Sequence, residues 1–388
     1  MGRFVALASR CVYVGHLADC AIQRAWSRCL TGRIFVFTLW STCLLVALDC
    51  AGSAADPCRL SQRAPCVPVQ RTDAACFPSP ASVVLAASAE DRELVDSCWG
   101  AALMQVAEAW RTPRSPGPTL VAVLDTGIDL DNAHLANRVD DSVALTGTPG
   151  ADDRSGHGTH VAGTIAAIAP NCRILNVKVA DDRGFCNTET VARGIRLAAD
   201  RAAAVINLSL EVEPSAELET AVAYAWERGA VIVAAAGMPS APAAQLLGEG
   251  MPSQPGSPRS GARPVYPACY PPVIAVTGVT ASGEPAPASN LASWVDVAAP
   301  GYRTYSDVPD GHGFLTGTST AAAHVSGLAA FLCGLADDRN GNGLVNDEVR
   351  RAIEATAIPL RAEGAGKGMV NAPAAVTWLT SQQLCDFE

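Results

Sequence analysis

The sequence predicts an α/β protein, a three-layer sandwich in which a mostly parallel central sheet is covered by helices on both faces. Three observations carry this. Short, continuous apolar runs such as Thr119–Leu124 and Ala230–Ala236 have the signature of strands buried on both sides. Segments with helical patterning follow them in alternation, as a parallel sheet requires. The alternation begins near residue 97 and shows no period of 20–50 residues, so a repeat architecture does not fit.

The elements follow in order. Residues 1–33 carry five Arg and one acid, Asp19. A charge-free, mostly apolar run, Ile34–Leu48, comes next, and then the small residues Ala51–Ala55. Basic region, apolar core and small-residue exit read as a signal peptide. The run is short for a spanning helix, which needs about 20 residues. An uncleaved membrane anchor and a lipid-modified Cys50 are the alternatives, and each of the three places the remainder of the chain outside the cytoplasm. Residues 56–96 form a Cys- and Pro-rich linker or short pro-segment, and the folded domain is expected over residues 97–388. Within it, strands are expected at Thr119–Leu124, Arg173–Val179, Ala204–Leu210, Ala230–Ala236 and Val273–Thr277. Helices are expected at His157–Ile168, Thr188–Ala204, Ser215–Arg228, Thr318–Leu335 and Asp347–Ala357. The Thr318–Leu335 segment is uncharged, which predicts burial all round. Residues 239–264 are rich in Pro, Gly, Ser and Ala and read as an exposed loop.

Composition removes several function classes. The 388-residue chain is 49% hydrophobic and 17% charged, which excludes general disorder. Its net charge of −10 and 5% aromatic content argue against a nucleic-acid partner. Of the 14 cysteines, Cys58, Cys66, Cys76 and Cys98 lie in or beside the Pro-rich stretch, where an exported protein holds disulfides. Zinc is the alternative for these four, without C-x-x-C spacing to support it. Cys172 and Cys186 are expected to pair.

Three polar residues fall where a parallel sheet places chemistry, at strand ends and helix starts. Asp125 ends the first strand and is followed by Thr126-Gly127. His157 opens a helix in Gly156-His-Gly-Thr-His-Val-Ala-Gly163. Ser319 opens the buried helix in Gly317-Thr-Ser-Thr-Ala-Ala-Ala-His-Val-Ser-Gly327. Singly, each has an ordinary structural reading as a turn residue, a core histidine or an N-cap. Together they supply what a serine nucleophile needs: a base for its proton and a carboxylate to fix that base's tautomer. The N-terminus of the Ser319 helix offers free N–H groups to a developing oxyanion.

These three segments resemble the signatures of the subtilisin-like serine peptidases (subtilases, peptidase family S8), in that family's order Asp, His, Ser. Trp99-Gly100, Ile206–Leu210, Val231–Gly237, Tyr266-Pro-Ala268 and Val295–Gly301 resemble further family segments, and the likeness covers roughly residues 97–375. The resemblance implies an endopeptidase acting on peptides or proteins, with Ser319 as nucleophile, His157 as general acid and base, and Asp125 as its partner. His160 and His324 are then structural. The resemblance further implies a substrate cleft bordered by Ser209, Leu210, Glu211, Ala235, Ala236 and Gly237, with the Ser319 N–H as one oxyanion donor. No cofactor is implied.

The sequence also departs from the family. Met238 stands where the family has the Asn that is the second oxyanion donor, and a thioether donates no hydrogen bond. Ser240, two residues on, carries a hydroxyl donor. Thr320 and Ala323 replace the usual Met and Pro, and Glu211 replaces a Gly. Residues 56–96 are shorter than the family's folded inhibitory pro-domain and do not resemble it. The expectation is a slow peptidase, or an impaired homologue that binds peptides without efficient turnover. Separately, Asp338, Asn340 and Asn342, with Gly at the sixth position, resemble a calcium loop. Val349 at the twelfth position lacks the acidic ligand, which favours a plain polar turn.

Overall fold

The computed structural model describes residues 99–113, 117–238, 263–287, 289–309 and 311–381. All belong to one compact unit, Ala81–Glu388. The leader, the early cysteines and Ser240 lie outside the described residues.

Two short helices, α1 (Trp99–Leu103) and α2 (Val106–Ala109), precede the first strand, β1 (Thr119–Asp125). Then come β2 (Val139–Ala144), α3 (His157–Ile168), β3 (Cys172–Lys178), α4 (Thr188–Asp200), β4 (Val205–Leu208), α5 (Ala216–Glu227) and β5 (Val231–Ala235). After the loop follow β6 (Val273–Val279), β7 (Val297–Pro300), β8 (Thr304–Val308), β9 (Gly311–Leu315), α6 (Thr318–Cys333), α7 (Asn346–Ala355) and α8 (Ala372–Ser381). Seven strands form one sheet in the order β2-β3-β1-β4-β5-β6-β7, and every pairing in it is parallel. β8 and β9 make a separate antiparallel hairpin.

Side-chain alternation on β1 shows how the layers arise. Val121 and Val123 enter one apolar cluster with Ile165 of α3, Ala322 and Leu328 of α6, Ile353 of α7 and Val376 of α8. Ala122 and Leu124 enter the other, with Ile195 of α4 and Leu218 of α5. A strand that must bury both faces is apolar on both of them, as β1 is from Leu120 to Leu124. Helix α6 is buried along almost its whole length, consistent with its lack of charge. Among the described residues no helix is long and apolar enough to cross a membrane.

Two expected ends move for structural reasons. The strand expected through Leu210 stops at Leu208, because Ser209 leaves the ladder to bond with Ser319. The helix expected through Ala204 stops at Asp200, and Ala202 takes a left-handed backbone (φ 55) that turns the chain into β4. Periodicity did not reveal β2, whose acidic edge sequence is only partly buried, or the Gly-rich β9.

The Cys172–Cys186 pairing is corrected: Cys186 is a free thiol. Cys172 begins β3, whereas Cys186 lies in the loop beyond its far end. A seven-residue strand separates its ends by roughly 20 Å, and a disulfide needs Cα atoms within about 7 Å.

Candidate active site

β1 lies between β3 and β4, where the strand order reverses, and this is where an open parallel sheet forms a crevice at its carboxyl edge. Asp125 is the last residue of β1 and is buried. Its Oδ1 accepts the Thr126 N–H and the His157 Nδ1, each at 2.7 Å. That bond holds the proton on Nδ1 and leaves Nε2 as the basic nitrogen. Burial works against a charged His157 imidazole. The adjacent Asp125 charge and hydrogen bond, with the Asp153 charge beyond, outweigh it and raise the pKa above its ordinary 6.5.

The close approach of these two residues depends on glycine. Gly127 has φ 107, and a Cβ there would meet the Ala151 carbonyl oxygen at 2.5 Å. A Cβ on Gly158 would lie 2.0 Å from the Gly127 oxygen and 3.2 Å from the Asp125 Cβ.

Ser319 is the second residue of α6 and is half-buried. Its hydroxyl donates to the Ser209 carbonyl at 3.3 Å, and the Ser209 hydroxyl donates to the Ser319 carbonyl at 2.8 Å. Asn207 supports this pair: its Nδ2 donates to the Ser209 Oγ, and its Oδ1 accepts from Ser326 of α6. The end of β5 is tied to the same helix, because the Gly237 N–H donates to the Thr318 Oγ1 at 3.0 Å. Asn290 holds that segment from behind, donating its Nδ2 to the Ala236 carbonyl and its backbone N–H to the Gly237 carbonyl. Ala235 and Ala236 are buried, while Leu210 is half-buried and Glu211 exposed. Met238 is 41% exposed at this edge. Its thioether carries no hydrogen to donate.

His160 and His324 are fully buried and separate from this chemistry. His160 Nε2 bonds the Thr304 carbonyl and His324 Nδ1 the Thr320 carbonyl. Burial pushes their pKa values down to about 3 and about 4, so both are neutral near pH 7.

Two supporting residues escaped the sequence reading. Asp153 is buried and accepts five hydrogen bonds: the Thr126 hydroxyl, the Ser155 and Gly156 N–H groups, and both the N–H and hydroxyl of Thr159. It satisfies the N-terminus of α3 and fixes the turn after Asp125. Its signal was an acid four residues before the first helical residue. Lys178, wholly buried, is in register with Asp125. Its ammonium donates to the Thr126 and Asp152 carbonyls and pairs with Asp182 at 2.9 Å. Its signal was a lysine ending an apolar strand in a chain with only one other.

The Asp338 loop folds as a run of polar turns. Asp338 accepts the Gly341 and Gly343 N–H groups, Asn340 accepts that of Asn342, and Asn342 that of Leu344. Among the described residues no cluster of three His, Cys, Asp or Glu side chains is arranged to hold a metal.

Comparison with known proteins agrees with the geometry. Residues 117–374 match the sequence profile of the Subtilase family, Peptidase_S8. Thermitase from Thermoactinomyces vulgaris is 35% identical over 297 residues, covering 72% of this chain and 96% of that protein. The Thermophilic serine proteinase of Bacillus sp. (strain AK1) is 35% identical over 291 residues, covering 70% of this chain, which spans 64% of that relative's length. Among solved structures, Sphericase superposes with a TM-score of 0.56 at 27% identity, covering 71% of this chain and 97% of its own. A parallel sheet with an Asp–His pair at its carboxyl edge, a serine at the start of a buried helix and these matches lead to one conclusion: the chain belongs to the subtilase family of serine peptidases.

Proposed function

We propose that the chain is an exported serine endopeptidase with Ser319 as nucleophile, His157 as general base and Asp125 as its orienting carboxylate. The observation that carries this is the 2.7 Å bond from His157 Nδ1 to Asp125, at the sheet edge that also holds Ser319. In the free enzyme the Ser319 hydroxyl rests on the Ser209 carbonyl. Catalytic hydrogen bonds of a free enzyme often tighten only with substrate. As substrate seats, the hydroxyl turns to His157 Nε2, gives up its proton and attacks the peptide carbonyl. The imidazolium formed is stabilised by Asp125, and its proton passes to the departing amine. Water then repeats the sequence on the acyl-enzyme.

The oxyanion receives the Ser319 N–H and the helix dipole, but nothing from Met238. Turnover is therefore slow. In subtilisin itself, loss of the corresponding donor lowers turnover about 10²–10³-fold. Met238 equally favours a second reading, a homologue that binds peptides in the cleft without efficient hydrolysis. Export rests on the basic region 1–33 and the apolar run Ile34–Leu48.

Casein hydrolysis by wild type, Ser319→Ala and Met238→Asn decides between the readings. Low wild-type activity, abolished in the first variant and raised at least tenfold in the second, is expected. A fluorophosphonate probe labels Ser319 in the folded protein. Peptide binding with no labelling, not restored by Met238→Asn, would sink the peptidase reading in favour of the second.

A further inference from the structure

The carboxylate of Glu211 stands beside the segments that hold Ser319, although a subtilase ordinarily has no side chain at that position. Ser209 exchanges two hydrogen bonds with Ser319, and Glu211, which is exposed, follows two residues later in the segment beyond β4. A Cβ placed on Gly237 would lie 3.1 Å from Glu211 Oε2 and 3.2 Å from Val265 Cγ2. Gly237 in turn donates to Thr318, the residue before the nucleophile. The carboxylate thus borders the surface at the end of β5, next to the position of Met238. Behind it a cavity of about 230 Å³ is lined by Glu211–Pro214 on one side and Arg263–Tyr266 on the other.

The lining suits a long cationic side chain. Val212, Pro264, Val265 and Tyr266 supply apolar walls along which methylene groups can lie. Glu211 and Glu213 outnumber the one cation, Arg263. Arg263 pairs with Glu211, and their side chains are 58% and 36% exposed. An ion pair this open to water contributes little, so a substrate cation can displace it readily.

Building on the reading of Ser319 as nucleophile, we propose that Glu211 selects substrates with a basic residue on the acyl side of the cleaved bond. The incoming ammonium or guanidinium takes the Glu211 carboxylate from Arg263, and its aliphatic stem lies against Val265 and Tyr266.

The test uses p-nitroanilide peptides that differ only in the residue before the leaving group: Arg, Lys, citrulline, Leu and Glu. Wild type and Met238→Asn are assayed, with fluorophosphonate labelling run in parallel to count competent sites. The expected result is kcat/KM at least about tenfold higher for Arg and Lys than for citrulline or Leu, the scale of one cross-interface charge pair. In Glu211→Gln the Arg-to-citrulline ratio falls to near one, and in Arg263→Ala it rises. Labelling with no preference for Arg over citrulline overturns the proposal and leaves the peptidase reading intact. Preference for Glu, lost in Arg263→Ala, overturns it by assigning selection to Arg263 instead. Absence of labelling in both proteins overturns it together with the reading on which it rests.

Discussion

Asp153→Asn separates support of the fold from support of the chemistry. One carboxylate oxygen accepts three hydrogen bonds, from the Thr126 hydroxyl and the N–H groups of Ser155 and Gly156. The other accepts two, both from Thr159. An amide has one acceptor oxygen, so whichever way it turns, at least two of these bonds are lost and an NH2 group faces existing donors. Hydrogen bonds to a charged group contribute about 1.5–3 kcal/mol each and do not add fully. Buried as Asp153 is, a loss of about 3–5 kcal/mol follows. At about 2–4 °C per kcal/mol for a domain of this size, the melting temperature falls by roughly 5–20 °C. The second effect is electrostatic. The Asp153 charge helps to raise the His157 pKa, and an imidazole can serve as the proposed base only when neutral. Removing that charge lowers the pKa, so the acid limb of the kcat/KM profile moves to lower pH. Calorimetry and a pH–rate profile measure the two effects separately. A melting point within about 2 °C of wild type, or an acid limb that stays in place or moves upward, would refute this account of Asp153.

Two further outcomes follow from buried groups. Lys178→Met leaves the Thr126 and Asp152 carbonyls without their ammonium donor, so a loss of about 2–4 kcal/mol in denaturant titration is expected, while an unchanged midpoint contradicts the assigned role. Thermal stability falls as pH drops from 6.5 to 5, while most carboxylates remain ionised. His160 and His324 have folded pKa values near 3 and 4, below the ordinary 6.5, so the unfolded chain binds protons that the folded chain refuses. Their stabilisation is whole above 6.5 and is lost as pH falls toward their folded values. His157 has the opposite sign: its contribution is whole below 6.5 and declines as pH rises through its raised folded value. A melting temperature that is flat or rising from pH 6.5 down to 5 contradicts the two buried neutral imidazoles.

Much of the architecture was legible because its causes are local. Doubly buried strands need predominantly apolar sequence: β5 is apolar throughout, and β1, β4 and β6 are broken only by Thr119 and Asp125 at the ends of β1, by Asn207 in β4 and by Thr277-Gly278 in β6. Helix starts were legible where a cap residue was present: Asn187 accepts the Thr190 N–H, and Ser215 that of Leu218. β2 escaped because an edge strand that is half wet lacks that pattern. The Cys172–Cys186 expectation failed because proximity in sequence ignores the length of an extended strand.

The sequence by itself determined the α/β class, the glycine-framed Asp125 and His157, and a serine at the head of an uncharged helix. It also determined that Met238 has no proton to offer an oxyanion. Only the tertiary structure decided that His157 reaches Asp125, that Ser319 rests on Ser209, that Asp153 and Lys178 brace the turn between them, and that Glu211 meets Gly237. Periodicity and capping act over a few residues, whereas these meetings join positions 32 and 110 apart. The order β3-β1-β4-β5 brings such positions together at one edge of the sheet, and no pattern within a single element encodes that order.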